Sequence, residues 1–381
     1  MGHGCVSGRF FAAASLLACA LAGCTSTGTH PASERLTVLR HGVEVSSAIN
    51  VDVAYRLPAS IRAWPFGGVS DGRYLAFGIE PPAANGRPAD DLKNQPVQQK
   101  NVPGRYGIID ETTGELTVRD SLAKGANTNY LALVRNPGNT TFLVRVEAIK
   151  QAPAACPGIP ITCYAWQITA QQLPDGGAHV IAKGSDPTAA TDVPVPVSSG
   201  QTVAWLDTSR HGMSEVYAWS PGGTAHPISA PLPTGILSLT AGNVWVGTPY
   251  ALHTLTGIPV NGGPTTTVTL PPAATLATVN GDLIAYRQDS SGSARAVCVT
   301  TISRPTRCHR LMQASAIYAL TWLTGTTLLV SSLNGYSVVS IDGSISSTTL
   351  NYLTLVHSDS RHVVMLVDAG ISQLLEVGHL Q

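Results

Sequence analysis

Beyond Arg35 the chain is a succession of apolar runs, about five to eight residues each, rich in Val, Thr, Ile, Leu and Tyr and cut off by Gly, Asn, Asp, Ser or Pro. β-Branched and aromatic residues suit a half-buried pleated surface, and the punctuating residues supply the backbone conformations that tight turns need. No stretch in this region carries a convincing helical pattern. The runs also recur in a fixed order: strand, tight turn, strand, loop, strand, tight turn, strand. At residues 316–350 this order reads AIYALTW, a turn at LTG, TTLLVSS, a loop at LNG, YSVVSID, a turn at GS, and ISSTTL. It returns in TLATVN, LIAYRQ, RAVCVTTI and RCHRLM at 274–312, and in ILSLTA, VWVGT, ALHTLTGI and TTTVTL at 236–270.

Second strands of such units begin near Tyr74, Thr141, Thr202, Val244, Leu283, Thr327 and His362, which makes seven units. The later spacings, about 35 to 45 residues, are those of a four-stranded propeller blade. The sequence therefore predicts an all-β chain: a seven-bladed β-propeller of four-stranded antiparallel blades spanning residues 35–381, with insertions in the first two blades. The last unit, YLTLVHS, HVVMLVD and ISQLLEVGHL, is one strand short. The strand-like segment RLTVLRHGVEVSS at 35–47 precedes the first complete unit and is predicted to supply the missing edge strand, because closure removes the exposed edges that template aggregation.

VSDGRYLAFGIE at 69–80, followed by YGIIDETTGELTVRD at 106–120, resembles the TolB-like and WD40-like propeller blade, with its S-P-D-G turn, an apolar strand, and a strand ending in D-x-x-T-G-E. The proline of that pattern is missing here, and other blades keep only degraded versions such as Trp219-Ser220-Pro221-Gly222-Gly223. The resemblance implies the propeller fold and carries no activity with it.

At the other end of the chain, Arg9, an apolar run from Phe10 to Ala22 and then small residues have the layout of a secretory signal peptide, too short to span a bilayer, which takes about 20 apolar residues. The ending Leu21-Ala22-Gly23-Cys24 resembles the lipobox of bacterial lipoproteins, which implies cleavage before Cys24 and lipidation of its thiol. The expected division is a signal peptide at 1–23, a tether at 24–34 and the propeller beyond. The expected location is the bacterial cell envelope, lipid-anchored on the extracytoplasmic side of a membrane. Four cysteines then remain: Cys156, Cys163, Cys298 and Cys308. An even remainder in an exported chain argues for two disulfides, and proximity pairs Cys156 with Cys163 and Cys298 with Cys308, although four cysteines allow three connectivities. A zinc site is the rival reading, but paired C-x-x-C spacing is missing.

Lys plus Arg and Asp plus Glu both total 23, which removes the electrostatic case for a nucleic-acid partner. No P-loop, Rossmann or calcium-loop pattern occurs, so no cofactor and no metal is expected. Gly68-Val69-Ser70-Asp71-Gly72 fits G-x-S-x-G, yet a nucleophile elbow needs a helix after it and a strand follows here, so Ser70 is read as a turn former. Asn139-Thr140-Thr141 matches a glycosylation sequon and is read as a turn before a strand. His357 and His362 are read as surface or packing residues, because a five-residue spacing suits neither one face of a strand nor one turn of a helix. Trp64, Trp166, Trp205, Trp219, Trp245 and Trp322 fall in different strands, as blade-to-blade packing requires.

Two functional classes follow. The first is an envelope-anchored, monomeric binding or scaffolding propeller that is not an enzyme and takes a protein, peptide or glycan partner. The alternative is an extracytoplasmic propeller enzyme, such as a lyase, lactonase or glycan hydrolase, with its site at the central channel. Loops between second and third strands emerge with the connections between blades, so PPAANGRPADDLKNQPVQQKNVPG at 81–104, the loop at 150–163 and SDPTAATD at 185–192 are predicted to share one face. Asp90, Asp91, Lys93 and Arg105 are the candidate partner-binding residues there.

Overall fold

A computed structural model describes residues 33–39, 43–46, 49–80, 104–123, 126–150, 164–185, 193–210, 213–230, 235–240, 242–247, 253–289, 295–314, 316–332, 335–348, 353–358, 362–369 and 372–380. Four short N-terminal strands come first: β1 (Ser33–Arg35), β2 (Thr37–Leu39), β3 (Val43–Ser46) and β4 (Ile49–Arg56). Blade 1 comprises β5 (Ala63–Ser70), β6 (Tyr74–Ile79), β7 (Arg105–Asp110) and β8 (Glu115–Asp120). Blade 2 comprises β9 (Ala126–Arg135), β10 (Thr141–Lys150), β11 (Tyr164–Gln172) and β12 (Ala178–Ser185). Blade 3 is built from β13 (Val197–Ser199), β14 (Thr202–Arg210), β15 (Met213–Trp219) and β16 (His226–Pro227), and blade 4 from β17 (Gly235–Thr240), β18 (Asn243–Gly247), β19 (Thr254–Pro259) and β20 (Thr266–Thr269). Blade 5 holds β21 (Ala274–Asn280), β22 (Leu283–Asp289), β23 (Arg295–Thr301) and β24 (His309–Ala314); blade 6 holds β25 (Ile317–Trp322), β26 (Thr327–Ser332), β27 (Gly335–Ser340) and β28 (Ile345–Thr348). Blade 7 starts with β29 (Leu353–Ser358), β30 (His362–Ala369) and β31 (Ser372–Leu380) and takes its fourth strand, β4, from the other end of the chain.

Every blade is antiparallel, ordered from its first strand at the axis to its fourth at the rim. The first strands touch from blade to blade: β29 with β5, β5 with β9, β9 with β13, β13 with β17, β17 with β21, and β21 with β25. The result is the predicted seven-bladed β-propeller, and all seven second strands start within a residue of the predicted positions.

A propeller blade is covered on both faces, so its middle strands need apolar residues at consecutive positions rather than an alternation. In β22, Ile284 and Tyr286 pack toward blade 4 while Ala285, between them, packs toward blade 6. Among the described residues the apolar side chains form seven clusters, one at each junction of neighbouring blades. The tryptophans serve this packing. Trp166, Trp205 and Trp219 are buried together between blades 2 and 3, with Trp205 stacked on Tyr217 at 6.0 Å and Trp219 edge-on to Phe142 at 6.2 Å. Trp245 and Trp322 fill other junctions, and the side chain of Trp64 lies outside the described residues.

Closure uses a different segment from the one predicted. The strand that pairs with β31 is β4, from Ile49 opposite Leu380 to Arg56 opposite Leu374. The predicted segment, 35–47, lies one layer further out, where β2 and β3 pair with the far edge of β4. The sealing position is packed against blade 6 on one side and blade 1 on the other, so it selects INVDVAYR, which buries Ile49, Val51, Ala54 and Tyr55. The residues of β1 and β2 are mostly exposed, in keeping with Glu34, Arg35 and Thr37. The same N-terminal segment also extends blade 1, because β1 pairs with β8, Ser33 opposite Thr117 and Arg35 opposite Glu115. It is therefore a belt along the outer edge of the two blades that meet where the ring closes.

Candidate functional site

The topology sorts the connections onto two faces. One face receives the links between second and third strands and those between successive blades; the other receives the links within each pair of first and second, and third and fourth, strands. On the second face no connection exceeds seven residues, the longest being 302–308. On the first face 25 residues separate Ile79 from Arg105, 13 separate Lys150 from Tyr164, and 11 separate Ser185 from Val197. Asp90, Asp91, Lys93, Cys156 and Cys163 fall in these connections and lie outside the described residues, as does Cys24. Arg105 is the first residue of β7, half-buried and in register with Ile79 and Asp120.

Beneath this elaborated face lies a charged network between blades 1 and 2 that the sequence reading missed. Arg145 and Glu147 project from β10 toward blade 1, and both side chains are fully buried. Arg145 Nε donates to Glu147 Oε1 at 3.1 Å; Nη2 also lies 3.1 Å from that oxygen, an ion-pair contact without hydrogen-bond alignment. Arg145 Nη1 donates to Gln171 Oε1 at 3.2 Å, and the guanidinium sits 4.0 Å above the Tyr106 ring, a cation–π contact. Tyr106 in turn donates to Gln171 Oε1 at 2.8 Å, and its burial raises the phenol above its ordinary pKa. Glu147 accepts from Gln167 Nε2 at 2.7 Å and from the backbone N–H groups of Leu122 and Ala123 at 3.0 and 2.9 Å. A buried carboxylate is tolerated when it is paired and its lone pairs are filled. Here that requirement ties the link between blades 1 and 2 to the middle of blade 2. Ser121 N also donates to the Gly104 carbonyl at 2.7 Å, fixing the stem of the 25-residue connection between Ile79 and Arg105. Leu122, Val195 and Tyr318 project large apolar side chains into solvent from connections or strand starts on this same face.

The opposite face is closed by short polar turns. Asp71, at the Ser70-Asp71-Gly72 turn of blade 1, accepts from Arg135 Nε at 2.9 Å, Thr141 Oγ1 at 2.8 Å, and the backbone N–H groups of Arg73 and Tyr74 at 2.9 Å each. Burial by itself would raise the Asp71 carboxyl; the hydrogen bonds from Arg135, the two backbone N–H groups and Thr141 outweigh it and hold the group below the usual carboxylate range. Gly72 supplies the positive φ, 79°, that the turn demands. Ser70 is buried, accepts from Gly72 N at 3.0 Å and donates to Glu111 Oε1 at 2.6 Å, so it shapes the turn as read from the sequence. Asn139, in the sequon, also takes a positive φ, 61°, in the turn before β10. Similar bonds link blades 4, 5 and 6: Thr240 Oγ1 donates to Asn280 Oδ1 at 3.3 Å, and Asn280 Nδ2 donates to the Thr324 carbonyl at 3.0 Å.

A cavity of about 370 Å³ opens at the rim, where the belt crosses from blade 1 to blade 7. It is lined by Val38, Val53 and Tyr55 on one side and by residues 111–114 on the other. The Tyr55 hydroxyl donates to the Glu111 carbonyl at 3.3 Å, and burial, with the nearby Glu111 and Asp110 carboxylates, pushes its pKa well above the ordinary value. Cys298 and Cys308 form a disulfide, their Cα atoms 5.2 Å apart, that joins β23 to the turn before β24. His357 and His362 stand on different strands, in register with Val364 and His379 respectively. Among the described residues no three His, Cys, Asp or Glu side chains gather as a metal-binding group.

No protein-family model matches the sequence, and no curated protein matches it. Among solved structures, BamB from Moraxella catarrhalis superposes with a TM-score of 0.46 at 11% identity, covering 91% of this chain and 98% of its own. A chain of a mitotic checkpoint complex gives a TM-score of 0.43 at 10% identity, with 85% and 92% covered. Neither likeness transfers a function.

Proposed function

We propose that this propeller is a binding or scaffolding module of the bacterial cell envelope, anchored through a lipidated Cys24, that takes a protein, peptide or glycan partner on the face bearing the long connections. One observation carries the reading: connections of 25 and 13 residues leave adjacent blades on the same face, whereas none on the other face exceeds seven. Long connections on a rigid scaffold are where propellers and other scaffolds place recognition. The Arg145–Glu147 network supports it by holding Leu122 and Ala123 in the link between blades 1 and 2, next to Ser121, whose N–H binds the Gly104 carbonyl at the stem of the 25-residue connection. The exposed Leu122, Val195 and Tyr318 add the apolar contacts that a protein partner buries.

The test is crosslinking in the native envelope, comparing the full chain with a version in which residues 84–101 are replaced by a short Gly/Ser link. Loss of captured partners from the shortened but folded protein is the expected outcome. Capture of the same partners at the same yield refutes the assignment of this face. Fatty-acid labelling that survives Cys24→Ala refutes the anchor independently.

A further inference from the structure

The cavity at the rim is graded from its mouth inward. Val38, Thr112 and Thr113 are exposed around the opening, Val53 and Glu111 are half-buried, and Tyr55 and Gly114 are buried at the inner end. Val53 and Tyr55 stand two apart on β4 and share a face, and Val38 lies directly opposite Tyr55 on β2, so the three side chains make one apolar wall. The facing wall is the turn between β7 and β8, residues 111–114. Gly114 lets that turn come close: a Cβ there would meet Val38 Cγ2 at 2.8 Å. At about 370 Å³ the space is within the range of small-ligand sites, which combine an apolar lining with a few placed polar groups.

The polar groups of the turn are of one kind. All four of its N–H groups are already engaged: Glu111 N donates to the Arg73 carbonyl at 2.9 Å, Thr112 N to Asp110 Oδ1 at 2.8 Å, Thr113 N to the Asp110 carbonyl and Oδ1, both at 3.2 Å, and Gly114 N to the Asp110 carbonyl at 2.8 Å. What the turn retains is acceptor capacity, since the Glu111 carbonyl takes one bond from the Tyr55 hydroxyl and has a second lone pair. Thr112 and Thr113 add hydroxyls at the mouth, which accept as readily as they donate. None of the seven lining residues is basic. Burial raises the pKa of the Tyr55 hydroxyl, and the Glu111 and Asp110 carboxylates raise it further, so the potential at the inner end is negative. An anion would meet neither an available backbone N–H nor a cation here, whereas a donor that carries positive charge is matched by both the acceptors and the field.

We propose that this cavity binds a primary ammonium group on a short aliphatic stem, the stem lying on the Val38–Val53 wall and the ammonium donating to the turn at 111–114. A free alkylamine and the lysine side chain of a partner present the same chemistry. The site lies at the rim, where the belt meets the ring, on residues that the long connections do not include, so it holds or fails separately from the partner-binding reading.

The test is calorimetric titration of the full-length protein with n-butylammonium, and with butanoate and butan-1-ol as analogues of opposite charge and of none. One saturable equivalent of butylammonium is expected, with the alcohol weaker and butanoate weaker by about tenfold or more, the worth of a hydrogen bond to a charged group. Val38→Lys places a competing ammonium at the mouth and should abolish binding, while Val180→Lys, at a comparably exposed valine on the outer strand of blade 2, should leave it unchanged. Glu111→Gln keeps an oxygen for the Ser70 hydroxyl but removes the charge, and should weaken binding by about 1.5- to 5-fold. Thermal melts establish that each variant is folded; were Val38→Lys to unfold, Glu111→Gln and the butanoate comparison decide the question. An acetylated and amidated Gly-Gly-Lys-Gly-Gly peptide separates the two sources: binding as tight as that of butylammonium assigns the site to a partner's lysine, and no binding of the peptide assigns it to a free amine. No saturable binding of butylammonium, butanoate binding as tightly, or an equivalent that survives in folded Val38→Lys overturns the proposal.

Discussion

Glu147→Ala is the substitution whose consequence can be followed furthest. It removes the acceptor for Arg145, Gln167 Nε2, and the backbone N–H groups of Leu122 and Ala123, all at an interface where Arg145 and Glu147 have no solvent access. Breaking one half of a buried ion pair costs about 3–5 kcal/mol, because the remaining charge keeps its desolvation penalty without a partner. The compact unit spans Ser33–Gln381. At about 2.1 cal/mol/K of unfolding entropy per residue, a unit of that length loses about 1.4 °C of Tm for each kcal/mol. A drop of about 4–7 °C is therefore expected by calorimetry or by circular dichroism at a β-sheet wavelength. Adding Arg145→Met to the same chain removes the stranded charge, so the double variant should melt above the single one. A Tm change below about 1 °C in Glu147→Ala, or a further fall in the double variant, would refute the claim that this pair is electrostatically coupled and solvent-free.

Because Asp71 has a lowered carboxyl pKa in the folded state, its contribution is present above the ordinary value of about 3.9 and lost as pH falls through the folded value. The Tm gap between wild type and Asp71→Asn should accordingly be widest near neutral pH and shrink below about pH 4, and a gap that stays constant to pH 2 contradicts this role. Removing the Cys298–Cys308 bridge, whose cysteines are 10 residues apart, should cost about 3 kcal/mol by loop closure, or about 4 °C of Tm in Cys308→Ser. A melt insensitive to reductant would show that the hairpin is held by its apolar contacts alone.

The blades were legible in the sequence because each repeats the same local grammar, and local grammar is what a sequence displays. Second strands such as LIAYRQ in blade 5 carry apolar residues toward both neighbouring blades, and that double burial is what makes them conspicuous. Closure was legible as a need but not as an address. Both 35–47 and 49–56 are strand-like, and the choice between them is made by packing against blades 6 and 1, which are distant in sequence. The charged network escaped for a related reason. Arg145 and Glu147 sit two apart in an apolar strand, a mark of a buried pair that is readable once noticed, yet their partners Tyr106, Gln171 and Leu122 come from other strands and a connection. Asp52 and His379 were less accessible still, since only a bulge in the pairing of the closing strand brings them together.

The belt also sets the order of events during folding. The contacts that seal the ring join the two ends of the chain: Ala63 N with Gln373 Oε1 across 310 residues, and His379 with Asp52 across 327. Six blades can form from neighbours in sequence as the chain lengthens, but β4, which precedes all of them, has no inner partner until β31, which follows all of them, has been made. Contacts of such separation carry the largest loop-closure entropy and come late. For that whole interval the apolar edge of β4 is a template for pairing with another chain. The belt answers that exposure early, because β2 and β3 fold back on β4 as a hairpin using only residues 37–56, so one of its two edges is already covered before the ring exists.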